Sequence, residues 1–152
     1  KLKLPIFKTV YYYLLQYRFT KMTALLYLSG QSIPNAFNYT AKIVDNLVYG
    51  KILETAARKI VAEGTTAANA LREANHDKII DYIAIAFLAT GEKNGKIDEQ
   101  LAGAAADYED VIRVNIERFS TLISVLALLP MALAITGLYI AVLAPQIGLF
   151  TR

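Results

Sequence analysis

Apolar residues recur at helical spacing through most of this chain, and near its end polar residues drop out of the pattern. From Leu122 to Phe150 the sequence reads LISVLALLPMALAITGLYIAVLAPQIGLF and holds no Asp, Glu, Lys, Arg or His. A hydrocarbon core about 30 Å thick takes about 20 apolar residues as a helix, so this stretch is long enough to cross one. The alternative is the buried central helix of a large protein. A helix apolar on every face then needs protein on every side, and 152 residues are too few to wrap one. The pattern predicts a membrane helix over 122–150 with its spanning core at 122–144, and a short non-cytoplasmic tail, 151–152, after it. Pro130 predicts a kink, because proline removes a backbone donor and clashes with the preceding turn. Gly137 offers a place for close helix approach, and Pro145 is expected to end the helix.

Before Leu122 the spacing predicts an all-α, antiparallel bundle of about six helices over residues 1–121, the last continuing into the membrane. Pro5 suits the entry of the first helix and Gly30 its C′ position. Along it, Lys1, Lys3, Lys8 and Tyr11 to Tyr13 suit either a membrane–water interface or a Tyr-rich core face. The second helix starts after Ser32 or Ile33, with Pro34 in its first turn, and Asn46 marks a turn. Val48, Ile52, Leu53, Ala56, Ile60 and Val61 then recur at helical spacing. Gly64 ends that helix, and Thr65 or Thr66 caps the next. Asn75-His76-Asp77 breaks the pattern. Ile79, Ile80, Ile83, Ala84, Phe87 and Leu88 form a fifth helix, closed by Gly91. Asp98 is expected to cap the sixth, whose inward stripe includes Leu101, Ala105, Tyr108 and Ile112. No segment reads as a strand.

Composition narrows the function. The net charge is +3 with basic residues scattered, which gives no case for nucleic acid. Fifteen of the 16 Lys and Arg residues precede the apolar run, so the positive-inside tendency places the bundle in the cytoplasm. The chain has no cysteine and one histidine. Disulfides, thiolate sites and His-rich metal sites are thereby excluded. The chain opens at Lys1 without the layout of a signal peptide, as a piece of a longer protein would.

Candidate chemistry mostly fails on spacing. GEKNGK, from Gly91 to Lys96, places three residues between its glycines where a phosphate loop needs four, and Ile97 stands where a Ser or Thr would hold magnesium. As a calcium loop it would begin at Thr90 and close on Leu101, which cannot ligate. His76 beside Glu73 and Asp77 reads as an exposed turn histidine. No catalytic, cofactor-binding or metal-ligating set is assigned.

Two segments resemble a known family. Arg18 to Phe37, RFTKMTALLYLSGQSIPNAF, is similar to a stretch of the type II secretion and type IV pilus inner-membrane platform proteins, with Phe19, Ser29 and Gly30 at matching positions. GEKNGKIDEQL resembles that family's GE-x-x-G-x-L-x-x-x-L turn, carried here by Gly91, Glu92, Gly95, Ile97 and Leu101. Leu129-Pro130 falls where the family often has Glu-Pro, and Asn75-His76-Asp77 replaces an aromatic-Pro turn. Family members resemble a doubled structure, and this chain looks like the second cytoplasmic domain with the last membrane helix. The resemblance implies a non-enzymatic protein of the bacterial inner membrane, without cofactors and forming a homo-oligomer. It implies as partners a hexameric cytoplasmic assembly ATPase, inner-membrane pilus or secretion assembly proteins, and pilin or pseudopilin, beside the lipid bilayer itself. A membrane-tethered helical adaptor unrelated to pilus assembly would share the span and the bundle but not these motifs. In the turn, Gly91 and Gly95 shape the bend and Ile97 staples onto the next helix. Glu92 either caps a neighbouring helix end or faces a partner.

Overall fold

A computed structural model describes residues 5–149 of the chain, and side chains at 8–124 and 127–140. Lys1, Lys3, Phe150 and the tail 151–152 lie outside the described residues. Six helices follow in order, α1 Pro5–Leu28, α2 Ile33–Ile43, α3 Leu47–Glu63, α4 Ala67–Ala74, α5 Tyr82–Asn94 and α6 Ile97–Leu149. No strand occurs among the described residues, so the all-α bundle with a long last helix is what the sequence forms. The chain divides into two compact units, one ending at Arg113 and one beginning at Val114.

In the first unit, consecutive helices from α1 to α5 pack on one another. Their ends are set by local chemistry. Gly30 takes φ +88° after α1, Gly64 φ +63° after α3 and Gly95 φ +69° after α5, a region where a Cβ is penalised. Asn46 accepts from the Val48 and Tyr49 N–H groups, Thr66 from Asn69 and Asp81 from Ile83, each satisfying donors that a helix start leaves orphaned. The core is built on Phe19, Phe37, Tyr49, Leu53, Leu71 and Leu88. The Phe19 ring lies 5.9 Å from that of Phe37 and 6.0 Å from that of Tyr49.

Several boundaries differ from those the periodicity predicts. The fifth helix starts at Tyr82, not Ile79. Asn75 explains this, because its side chain donates to the Ile80 carbonyl at 2.7 Å and accepts from the Ile80 N–H at 3.0 Å. Both backbone groups of Ile80 are thereby taken. Gly91 does not close α5, which runs on to Asn94. Asp98 lies inside the first turn of α6 and is not its cap, although with Glu99 it still suits the positive end of the helix dipole. The last helix also passes Pro145 and reaches Leu149, since a proline costs a local hydrogen bond without forcing termination. Among the periodic apolar residues Val48, Val61 and Ile83 are exposed, while Tyr49, Ala57 and Ile85 are buried in their helices. The Val48–Tyr49 offset lies in the first turn of α3, where the cap sets the phase of the stripe.

Candidate functional site

The family-like turn joins α5 to α6. Gly95 supplies the left-handed residue that a Schellman-type end requires, and the Lys96 N–H donates to the Gly91 carbonyl at 2.9 Å. Gly91 is buried in the last turns of α5 for another reason. A Cβ there would lie 2.7 Å from the Ile97 Cα, so the start of α6 passes directly over it. Ile97 and Leu101 are buried and fix the first turns of α6 to the core.

Glu92 reaches sideways from this turn to α4. Its two carboxylate oxygens accept from the Ala67 and Ala68 N–H groups, the latter at 3.0 Å. Thr66 covers the Asn69 donor at 3.3 Å. A carboxylate on free N–H groups at a helix N-terminus is favoured both by hydrogen bonding and by the dipole. Glu92 thus caps a neighbouring helix 25 residues away in sequence.

The other family-like residues divide between places. Ser29 Oγ donates to the Leu26 carbonyl at 2.7 Å and Gly30 turns the chain toward α2. Leu25 and Leu28, just before them, line one groove with Asp98, Glu99 and Ala102 of α6. The α1–α2 turn and the α5–α6 turn therefore share one end of the bundle. Phe19 does not belong there, being fully buried among Phe37 and Tyr49.

A buried polar centre near the opposite end was not anticipated from sequence. Gln16 is fully buried. Its Nε2 donates to the Ile79 carbonyl at 2.8 Å, and its Oε1 accepts from the Tyr49 hydroxyl at 2.8 Å and the Asp81 N–H at 3.1 Å. Burial raises the Tyr49 hydroxyl well above the ordinary tyrosine range, so it stays a donor. The Tyr108 hydroxyl is buried beside Asp81 without a hydrogen-bond partner among the described residues, and burial raises it too. A polar residue within an apolar stripe was the only signal available. The group joins α1, α3 and the α4–α5 connection and offers no nucleophile or acid–base pair. His76 is exposed in that connection. Among the described residues no three His, Asp or Glu side chains converge to hold a metal.

In the second unit, Leu122, Leu128, Leu133, Ile135, Leu138 and Ile140 are exposed. The helix is continuous through Pro130, and a Cβ on Gly137 would meet nothing within 4 Å. Among the described residues one helix is long and apolar enough to cross a membrane, and it lies within Ile97–Ile140.

These features define an all-α protein in which a bundle of capped helices precedes an unburied apolar helix. The family described as "Type II secretion system (T2SS), protein F" matches residues 19–145, and the chain belongs to that family. It is 24% identical over 149 residues to the type IV pilus assembly protein PilC of Pseudomonas aeruginosa, covering 97% of this chain and 39% of that protein. It is 32% identical over 109 residues to the type IV pilus assembly protein PilC of Thermus thermophilus, covering 72% of this chain and 26% of that one. The chain therefore spans well under half the length of these relatives.

Proposed function

We propose that this chain is part of a non-enzymatic inner-membrane platform protein of a type IV pilus or type II secretion machine. In this reading residues 1–121 form a cytoplasmic bundle, 122–150 a transmembrane helix and 151–152 a tail on the far side. The platform couples a hexameric cytoplasmic assembly ATPase to insertion or extraction of pilin or pseudopilin, alongside other inner-membrane assembly proteins and as a homo-oligomer. The observation that carries the reading is α6, which supplies buried bundle residues from Ile97 to Tyr108 and then the apolar segment from Leu122. Membership of the family and the pilus-assembly names of its relatives support it.

A helix shared by bundle and span suits such coupling, because a helix transmits displacement along its axis. Two glycines inserted after Arg118, in the full-length protein, test this. Pilus or secretion assembly should be lost while membrane insertion and protein level are kept. Normal assembly in that variant would sink the coupling mechanism.

A further inference from the structure

We infer that the end of the bundle from which α6 exits is itself a lipid-contacting surface, with its exposed apolar helix starts lying in the membrane interface. The inference rests on the reading of residues 122–144 as a membrane span.

Four contacts define that end. The Tyr11 hydroxyl donates to the Asp45 carbonyl at 3.2 Å, setting the early turns of α1 against the α2–α3 corner. Gln16 bonds to Ile79 and Asp81 and brings in the α4–α5 connection. The Tyr13 and Tyr108 rings lie 6.2 Å apart, which places the last bundle turns of α6 there as well. Five residues beyond Tyr108 the chain leaves this unit at Arg113.

The side chains exposed at this end are unusual for water-facing helix starts. First turns favour Asp and Glu, which complement the dipole. The first turns of α3 and α5 have no acidic residue. They open instead on Leu47-Val48 and Tyr82-Ile83, with Leu47 87% and Tyr82 71% exposed. Tyr11 and Ile43 are exposed beside the α2–α3 corner. Lys8, Lys42 and Lys78 are exposed with them, against the acids Asp45 and Asp77, with Asp81 half-buried at the cap of α5. Tyrosine and lysine around aliphatic side chains is the composition that settles at a bilayer interface. The opposite end also exposes Leu28 and Val61, and Val61 lies about 21 Å along α3 from Leu47.

Chain length selects lipid as the occupant. Arg113 and Leu122 are nine positions apart, and however the residues between them are arranged they reach at most about 32 Å. A span beginning at Leu122 therefore keeps the exit end of the bundle within that distance of the bilayer. An exposed apolar surface held this close meets lipid at high effective concentration.

The chain has no cysteine, so single labels report single positions. Leu47→Cys, Tyr82→Cys, Leu133→Cys, Gln31→Cys and Lys93→Cys chains, each carrying an environment-sensitive fluorophore, are reconstituted into phosphatidylcholine–phosphatidylglycerol vesicles with or without brominated acyl chains. Far-UV circular dichroism confirms that each is helical. Loss of fluorescence in brominated vesicles is expected at 133, 47 and 82, and not at 31 or 93. Quenching at 133 without quenching at 47 and 82 overturns the inference while keeping the span. No quenching at 133 overturns the span and the inference with it. A blue-shifted, unquenched label at 47 or 82 means protein contact, a second copy of this chain included, and also overturns it. So does equal quenching at 31 or 93.

Discussion

Gly91 has no room for a side chain because the Ile97 Cα stands 2.7 Å from where its Cβ would be, with the Ile97 nitrogen and Lys96 oxygen at 3.2 Å. All three atoms are backbone, so no rotamer change relieves the clash. Gly91→Ala should destabilise the bundle by about 1–3 kcal/mol, the usual range for overpacking. Gly103 is the control. Its Cβ would meet only the Phe87 ring at 3.8 Å, an ordinary contact, inside α6 and in a helical conformation. Gly103→Ala should stabilise by about 0.5–1 kcal/mol through helix propensity. Denaturant titrations of the two variants, followed by circular dichroism, should shift in opposite directions.

Glu92 holds both free donors at the start of α4. Glu92→Ala leaves the Ala67 and Ala68 N–H groups without a partner, and Ala67 and Ala68 are buried. The cost should be about 1–2 kcal/mol, in the upper half of the range for lost caps. Glu92→Gln keeps one good acceptor and should cost less than Glu92→Ala. If both variants melt like the parent yet fail in pilus assembly, Glu92 acts on a partner and the cap contributes little.

Gln16 ties three segments together through one buried amide. Gln16→Leu removes all three bonds and strands the Tyr49 hydroxyl, the Ile79 carbonyl and the Asp81 N–H. At roughly 1–3 kcal/mol for a buried group left unpaired, a loss of about 3 kcal/mol or more is expected. Tyr49→Phe removes one bond and leaves Gln16 Oε1 the Asp81 donor, so it should cost about 1 kcal/mol. Equal effects of the two variants in equilibrium unfolding would contradict this arrangement.

The helices were legible because periodicity and punctuation agree. Gly30, Gly64, Ser32, Asn46 and Thr66 stand where a 3.6-residue stripe starts or stops, and each sits at a helix end. Gly91 and Gly95 show the limit of that signal. Both read as turn glycines, but only Gly95 has positive φ, and Gly91 is required by an approach between helices that no local pattern records. Asn75 reads as a breaker, whereas its function in the fold is to hold Ile80 five residues on. Gln16 gives even less away, since a single polar residue in a stripe says nothing of partners 33 to 65 positions distant. The family-like turn was visible as a motif, and the helix that Glu92 caps was not, because its contact is tertiary.

Lys59 and Glu73 form a pH-dependent contact in the first unit. Lys59 Nζ donates to Glu73 Oε2 at 2.6 Å, linking α3 to α4. The hydrogen bond from Lys59, then its charge, holds Glu73 below the usual glutamate range, and the same bond lifts Lys59 above the usual lysine range. The signs follow by linkage. A carboxyl lowered on folding contributes above its unfolded value, and that contribution is lost as pH falls through the lowered folded value. An amine raised on folding contributes below its unfolded value, and that contribution is lost as pH rises through the raised folded value. Both contributions are therefore complete across neutral pH and fade at the acid and alkaline ends. Both side chains are solvent-accessible, so the effect should be small and weakened by salt. Glu73→Gln should lower Tm slightly at neutral pH in low salt, and the difference from the parent should vanish below the carboxylate range and in 1 M NaCl. A Tm difference that persists in acid would show that Glu73 acts through packing and not through its charge.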